Sequence, residues 1–241
     1  MTNLMDVVFR MKQYKHIFFD LDKTLWDFTA NNKDTFIDLF EQFNLKSKGA
    51  ESPEIFQEKY NVHNDILWDL YRKGNVEKSY LSVERFRLTL NDFGIIDNTL
   101  ATNISNEYIR LSPLKTKLIP FTIETLEYLF PKYRLHIITN GFKEVQYLKV
   151  ERSGLKKYFQ QIITSEEAGC NKPNKQIFLY SLERTSAIAS ESLMIGDDLE
   201  VDILGAKDAG IDSVFVNLEN IIHNKSINYE VKSLPELNEI L

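Results

Sequence analysis

The spacing of apolar residues changes along the chain and divides it into regions of different predicted secondary structure. A short apolar run, His16–Phe19, ends at Asp20 and predicts a buried β-strand. From about residue 31 to residue 110, apolar side chains recur at helical spacing, as at Phe36 and Leu39. This stretch predicts a block that consists only of helices.

Beyond Pro113 and Pro120, strand and helix patterns alternate along the chain. Helices are predicted for a segment that Pro173 opens and for residues 123–130, 145–152, 199–209 and, as a short closing helix, 235–241. Strands are predicted for residues 135–138, 161–164, 193–195 and 213–216.

Strands that alternate with helices pair in parallel, and helices cover both faces of the resulting sheet. The sequence therefore predicts an α/β fold, a parallel-sheet core with a helical domain inserted after its first strand. The core is assigned to residues 14–28 and 113–241 and the helical domain to residues 29–112. The inserted domain is expected over the carboxyl ends of the strands, where such folds bind ligands.

The composition is that of a globular protein, and its charge narrows the classes of partner. The 241 residues are 43% apolar and 27% charged, with a formal net charge of −6. This charge gives no general attraction to nucleic acid or to an anionic membrane. A negatively charged substrate must therefore be held locally, by a bound cation or by a few placed Lys and Arg side chains.

Several absences favour a cytoplasmic location. No apolar run approaches the roughly 18 residues that a membrane-spanning helix needs. Cys170 is the single cysteine, which excludes an internal disulfide and fits a reducing compartment. The first fifteen residues make a poor secretory signal, because Asp6, Arg10 and Lys12 interrupt their short apolar stretch.

Two carboxylates, Asp20 and Asp22, follow the first predicted strand directly. In extended backbone, residues two apart point to the same side, so both can address one space. Two such charges repel by about 4 kcal/mol at ~4 Å in an effective dielectric near ~20. A divalent cation such as Mg²⁺ would relieve the repulsion and could hold a phosphoryl oxygen. A calcium site, or an acidic turn with Thr24 as a helix cap, is also consistent with the pattern.

Three further polar motifs stand at predicted strand ends or helix starts. They are Thr139-Asn140-Gly141, whose hydroxyl and N–H groups could cradle phosphate oxygens, Lys172-Pro173 before a helix, and Gly196-Asp197-Asp198 followed by Asp202. Each motif alone also has a structural explanation, such as a common turn or acids placed at a helix N-terminus. Their combined order is more specific than any one of them.

In this order, the four motifs resemble those of the haloacid dehalogenase superfamily of phosphohydrolases. The resemblance runs from His16 to the C-terminus and includes the helical insertion typical of members with a C1 cap. It implies a Rossmann-like parallel sheet with a helical cap domain. A closer resemblance, to the pyrimidine 5′-nucleotidase subfamily, is carried by Ile138–Phe142, Leu148–Gly154, Ser165–Lys175, Leu67–Trp68 and Tyr71–Gly74.

The resemblance implies a role for each matching residue. Asp20 would be the nucleophile, and Asp22 would protonate the leaving group and later deprotonate water. Thr139 and Lys172, with Asn140 and Gly141, would hold the phosphoryl group. The implied Mg²⁺ ligands are Asp20, Asp22 through its backbone oxygen, Asp197 and Asp202, with Asp198 as an alternative to Asp202.

Asp22 favours a phosphatase over the other chemistries of the superfamily. Dehalogenases lack an acid at this position, transport ATPases need membrane helices, and phosphomutases keep the acid and stay open as an alternative. A non-catalytic binding module would be expected to have lost at least one of the motif acids.

The expected substrate is a small phosphorylated metabolite, a nucleoside monophosphate by resemblance and a sugar phosphate as the alternative. Trp68, Tyr71 and Arg72 of the inserted domain are candidate substrate contacts, although aromatic residues at helical spacing usually belong to a core. Cys170 stands two residues before Lys172, and the four histidines lack the spacing of metal ligands.

Overall fold

The computed structural model describes residues 13–241, and the segment considered as a secretory signal lies largely outside these described residues. Within them, six strands form one parallel sheet: β1 His16–Phe19, β2 Arg134–Thr139, β3 Phe159–Thr164, β4 Ser192–Gly196, β5 Asp212–Val216 and β6 Tyr229–Val231. The order across the sheet is β3-β2-β1-β4-β5-β6. The predicted α/β fold with a parallel sheet is confirmed.

Strand β1 lies in the middle of the sheet, between β2 and β4. All four of its residues are buried, which explains why its sequence is an uninterrupted apolar run rather than an alternating one. Because the three strands are parallel and in register, their carboxyl ends meet at one edge. The residues that follow β1, β2 and β4 therefore converge there.

Four helices follow β1 and form the inserted cap: α1 Phe28–Gln42, α2 Pro53–Arg72, α3 Lys78–Asn91 and α4 Asn98–Leu111. Side-chain oxygens of Asp27, Ser52 and Asp97 accept hydrogen bonds from backbone N–H groups in the first turns of α1, α2 and α4. Inside the cap, a cluster of aromatic rings is buried, namely Phe36, Phe56, Tyr60, Phe86 and Tyr108. The helical spacing in this stretch thus reflects a separate cap core.

The remaining helices flank the sheet: α5 Thr122–Leu129, α6 Lys143–Arg152, α7 Ser165–Ala168, α8 Lys175–Thr185 and α9 Gly205–Asp208. The prediction that Pro173 opens a helix is wrong by two residues. Helix α8 begins at Lys175, because the Asn174 side chain caps it by accepting from the N–H of Gln176.

The C-terminal part departs from the predicted elements in three further places. The closing helix predicted for residues 235–241 is a 3₁₀ helix, Leu234–Glu239. The helix predicted for residues 199–209 begins as a π-helical segment, Leu199–Leu204, and continues as α9. A sixth strand, β6, follows the strand predicted to be last. It has three residues, of which only Val231 is buried, so it carries no clear apolar pattern. Among the described residues, no helix combines the length and apolar character needed to cross a membrane.

The cap contacts the core beside the carboxyl ends of the strands. The ammonium of Lys78 lies 2.9 Å from Glu144 and 3.0 Å from Glu166. The ring of Trp68 stacks on Phe142 with 5.4 Å between centroids. The inserted helices therefore cover the edge of the sheet at which the motif residues converge.

Candidate active site

A buried ammonium group lies at the centre of the sheet edge. Lys172 Nζ donates hydrogen bonds to Asp20 Oδ1 at 2.6 Å, to Asp202 Oδ1 at 2.6 Å and to the backbone oxygen of Ile138 at 2.8 Å. Lys172 is only 1% exposed. Three motifs that are far apart in the sequence thus meet at one lysine.

The loop that carries Lys172 is held by Asn140. The amide oxygen of Asn140 accepts from the N–H of Lys172 at 2.8 Å, and its amide nitrogen donates to the backbone oxygen of Lys172 at 2.9 Å. Both polar atoms of the Asn140 side chain therefore position Lys172. The Asn140 side chain thus holds the loop that supplies the ammonium, and the prediction that Asn140 helps to bind phosphate stays a prediction.

Three carboxylates form a compact cluster beside this lysine. One oxygen from each of Asp20, Asp197 and Asp202 lies within 4.8 Å of the others. Burial, reinforced by the charges of Asp202 and Asp22 and opposed by Lys172, raises the pKa of Asp20 to about 7. Burial and the neighbouring carboxylates of Asp20 and Asp202 raise the pKa of Asp197 well above its ordinary value. One ammonium does not compensate three clustered acids, and a hard divalent cation fits this donor set.

The last strand-end motif places its acids in different environments. Asp198 caps the following helix, since its Oδ1 accepts from the N–H groups of Glu200 and Val201. Asp202 turns back to the cluster, where its carboxylate lies against Gly196 in space that a β-carbon at Gly196 would occupy. Of the two acids proposed to assist Asp197, the structure places Asp202 in the cluster.

Thr24, considered as a helix cap, has another contact in the structure. Its hydroxyl donates to Asp197 Oδ1 at 2.8 Å, and the cap of α1 is Asp27. The Thr24 hydroxyl thus fixes one oxygen of Asp197 and leaves the other for a ligand.

Asp22 is held apart from the three clustered carboxylates. Its Oδ2 accepts from Gln146 Nε2 at 2.7 Å, and its Oδ1 accepts from Lys149 Nζ at 2.5 Å. The same Gln146 amide donates to Thr139 Oγ1 at 3.0 Å. Lys149 is 3% exposed and lies 3.9 Å from the centroid of the Trp26 ring. The two carboxylates of the Asp20–Asp22 pair therefore have different partners: Asp20 is bound by Lys172 in the turn before α8, and Asp22 is bound by two residues of α6.

Gln146 and Lys149 were missed by sequence reasoning. They lie three residues apart on α6, so they share a face of the first helix after Thr139. The available signal was this polar pair on a helix that begins at a motif strand. Gly141 belongs to the same arrangement, because a β-carbon there would collide with the Gln146 side chain.

A cavity of about 390 Å³ opens beside these groups, between core and cap. Asp20, Asp22, Thr139 and Lys172 line it from the core. Asn64, Trp68 and Arg72 line it from the cap. An adjoining cavity of about 370 Å³ contacts Asp197 but not the Asp20–Lys172 pair.

The remaining candidates do not face this cavity. The ring of Tyr71 meets Trp68 edge-on at 5.5 Å and is not part of the cavity lining. Cys170 also lies outside the lining, and its nearest hydrogen-bond acceptor is the backbone oxygen of Ala168 at 3.8 Å.

Residues 17–216 match the haloacid dehalogenase-like hydrolase family. The chain belongs to this family. The predicted resemblance to the superfamily of phosphohydrolases is thereby confirmed, and the helical cap and parallel core agree with it.

Individual relatives cover nearly the whole chain. The chain is 31% identical to the HAD-hydrolase YfnB of Bacillus subtilis, over 96% of this chain and 97% of that protein. It is 34% identical to the pyrimidine 5′-nucleotidase YjjG of Escherichia coli, over 93% and 96% of the two chains. It is 31% identical to a glyceraldehyde 3-phosphate phosphatase of Methanocaldococcus jannaschii, over 94% and 96%.

The fold agrees with a crystal structure of one of these relatives. The structure of Bacillus subtilis YfnB bound to magnesium superposes with a TM-score of 0.86 at 30% identity, and the match covers 95% of this chain and 99% of that chain. The order of strands and the inserted cap therefore follow the pattern of solved members of the family.

Proposed function

We propose that this hydrolase is a Mg²⁺-dependent phosphomonoesterase in which Asp20 is the nucleophile and Asp22 the proton carrier. The observation that carries the proposal is that these two carboxylates have different hydrogen-bond and ion-pair partners. Asp20 belongs to the acid cluster and is bound to Lys172, whereas Asp22 is held by Gln146 and Lys149. Two acids in distinct environments can perform the two distinct roles that phosphate ester hydrolysis requires.

In the first step, a carboxylate oxygen of Asp20 attacks phosphorus and the bond to the ester oxygen breaks. The ester oxygen leaves as the alcohol after it takes a proton from Asp22. In the second step, the Asp22 carboxylate takes a proton from water, and the water oxygen attacks phosphorus. The bond between phosphorus and Asp20 then breaks, which releases inorganic phosphate and restores both acids.

Lys172 and Thr139 stabilise the phosphoryl group during both steps. The ammonium of Lys172 is already fixed beside the attacking oxygen of Asp20, so it needs little reorganisation as charge develops. Thr139 Oγ1 accepts from Gln146 and from the N–H of Gly141, which leaves its own hydroxyl proton to donate to a phosphoryl oxygen.

The acid cluster is the site at which the cation would bind. Asp20 and Asp197, with the backbone oxygen of Asp22 and with Asp202 as a further ligand or orienting group, would hold Mg²⁺. When bound, Mg²⁺ supplies positive charge to the phosphoryl oxygens that the net charge of the chain does not. Asp202 is buried and accepts a hydrogen bond from Lys172, so it orients that lysine whether or not it also binds the cation.

The proposed substrate is a pyrimidine nucleoside 5′-monophosphate. Two observations support it: 34% identity to YjjG over nearly the whole chain, and a cavity beside Asp20 that Trp68 lines from the cap. A planar base can stack on an indole ring. The relative from Methanocaldococcus jannaschii supports the alternative, a small sugar phosphate.

Phosphate release from a panel of nucleoside monophosphates and sugar phosphates, with and without EDTA, tests the proposal. The Asp20→Asn variant should lose activity by on the order of 10⁴-fold, as expected for removal of a nucleophile. Asp69→Asn is the matched control, since Asp69 is a half-exposed residue of α2 that forms a surface ion pair with Lys73 and does not line the cavity.

Preferential turnover of pyrimidine monophosphates would support the nucleotidase assignment, and turnover of sugar phosphates alone would replace it with the alternative. An Asp20→Asn variant with near-normal turnover would refute the mechanism. Absence of phosphate release together with transfer between substrate hydroxyls would indicate a phosphomutase.

A further inference from the structure

A second buried cation, Arg85, lies in the cap on helix α3. It is 3% exposed. Its Nη1 donates to Asn64 Oδ1 at 3.0 Å and its Nε donates to the backbone oxygen of Ser82 at 3.3 Å. Across residues 13–241, its guanidinium forms no ion pair with a carboxylate. Buried arginines are rarely left without a partner anion, since removing the charge from water is costly.

Aromatic rings provide part of the compensation. The guanidinium carbon lies 5.0 Å from the ring centroid of Tyr108 and 5.5 Å from those of Tyr60 and Phe86. Such contacts attract the cation, but ring faces do not replace an acceptor in the plane of the guanidinium. Of the five N–H groups that a guanidinium carries, the described residues accept from two.

Arg85 faces a small extension of the active-site cavity. This space of about 60 Å³ is lined by Arg85 together with Asp22, Trp68, Gln146 and Lys149. Asp22 and Trp68 also line the larger cavity that contains Asp20 and Lys172. A group bound in the extension would therefore lie next to the proton carrier, on the side of the leaving alcohol.

We propose that Arg85 is a specificity residue that binds an acceptor oxygen on the leaving group of the substrate. The inference rests on the proposed function, because it takes phosphoryl transfer to Asp20 as given. The extension has room for about two water molecules, which suits a carbonyl or carboxylate and excludes a second ring. The oxygen has two possible sources, a carbonyl of a pyrimidine base or a carboxylate of a small phosphorylated acid.

Two pairs of substrates distinguish these sources. Uridine 5′-monophosphate and ribose 5-phosphate differ by the base with its carbonyls, and 2-phosphoglycolate and ethyl phosphate differ by the carboxylate. For each pair, the ratio of kcat/KM values is measured for the wild type and for Arg85→Met. We expect the wild type to prefer the member with the acceptor in at least one pair. In Arg85→Met that preference should fall by about 10- to 100-fold, mainly through KM, because a charge-assisted hydrogen bond is lost.

Arg87→Met is the matched control. Arg87 lies two residues away on the same helix, is partly exposed and pairs with Glu84, so its removal should leave both ratios unchanged. Arg85→Lys keeps the charge but not the planar fork, and its ratio should lie between those of the wild type and Arg85→Met. This second variant keeps the test decisive if Arg85→Met folds poorly.

A fall in only one ratio identifies the source of the oxygen. Unchanged ratios in both Arg85 variants, with or without a lower melting temperature, would show that Arg85 is only structural and would overturn the proposal. A wild-type protein that releases no phosphate from any of the four compounds would instead refute the proposed function, and with it this inference.

Discussion

Two buried cations, Lys172 in the core and Arg85 in the cap, border cavities that share lining residues, but their charges are compensated in opposite ways. Lys172 contacts two carboxylates at 2.6 Å each. Arg85 contacts an amide oxygen, a backbone oxygen and three aromatic rings. The core cation is therefore satisfied before any substrate binds, and the cap cation is not.

We relate this difference to two roles: Lys172 stabilises charge during the reaction, and Arg85 recognises the substrate. Although burial alone would lower it, the carboxylates of Asp20 and Asp202 raise the pKa of Lys172 above its ordinary value, so the ammonium stays charged. Its geometry is preorganised, as charge stabilisation at a reacting phosphoryl group requires. Arg85 has unused donors instead, which is the property expected of a group that reads the substrate.

The largest effect is expected for Lys172→Met. Removal of the ammonium leaves Asp20 and Asp202 buried without their shared counter-ion, so the free energy of unfolding should fall by about 3–5 kcal/mol and activity should be lost. Arg85→Met leaves no carboxylate unpaired, and its loss of stability should be clearly smaller. Urea unfolding of both variants at pH 8 without Mg²⁺ measures the difference, and equal losses would contradict the comparison.

The strands of the core and the motif residues around Lys172 could be predicted from the sequence. Apolar runs and helical spacing are local signals, and they located β1, β2 and β4 and indicated the helical block of the cap. Because parallel strands align their carboxyl ends, the polar residues that follow them had to converge, which is why Asp20, Thr139 and Asp197 could be grouped in advance.

The contacts of Arg85 in the cap, and of Lys149 on α6, could not be predicted in the same way. Arg85 has its role only through Asn64 and the aromatic rings of other cap helices, and no spacing in the sequence reports such contacts. Lys149 is separated from Asp22 by 127 positions. Contacts of this kind depend on how helices pack against the sheet, and the apolar pattern constrains that packing only loosely.

Lys149 is the intermediate case, a buried cation with one carboxylate, Asp22. If it positions the proton carrier, Lys149→Met should lower kcat/KM, which reports the step that releases the alcohol, for a nucleoside monophosphate by roughly 10- to 100-fold. The loss should be several-fold smaller for p-nitrophenyl phosphate, because nitrophenolate leaves without being protonated. Steady-state kinetics with the two substrates measures the contrast.

Lys143→Met provides the control for that experiment. Lys143 lies on the same helix but is half exposed and pairs with Glu167 on the surface, so both rates should stay close to those of the wild type. Equal losses for the two substrates in Lys149→Met would mean that Lys149 supports the fold or the phosphoryl site rather than the proton carrier.

A third kind of buried base, His136, avoids the need for a counter-ion by staying neutral. It is 1% exposed on β2, and its Nε2 lies 3.1 Å from His16 Nδ1. Burial, with smaller contributions from the charges of His16 and Arg134, lowers the pKa of His136 to about 3. Between this value and its ordinary pKa of about 6.5, the unfolded chain binds a proton that the folded protein does not.

The smallest predicted effect follows from that difference. The contribution of His136 to stability is complete above pH 6.5 and is lost as the pH falls towards 3, at up to about 1.4 kcal/mol per pH unit. His136→Asn should therefore show a shallower decline of unfolding free energy than the wild type between pH 6 and pH 5, measured by urea titration. The slopes should coincide between pH 7 and pH 8, where neither state of His136 takes up a proton. If the unfolding free energies of the two proteins fall in parallel over the whole pH range, His136 is protonated in the folded protein. It would then be a buried cation in the sheet without a carboxylate partner, as Arg85 is in the cap.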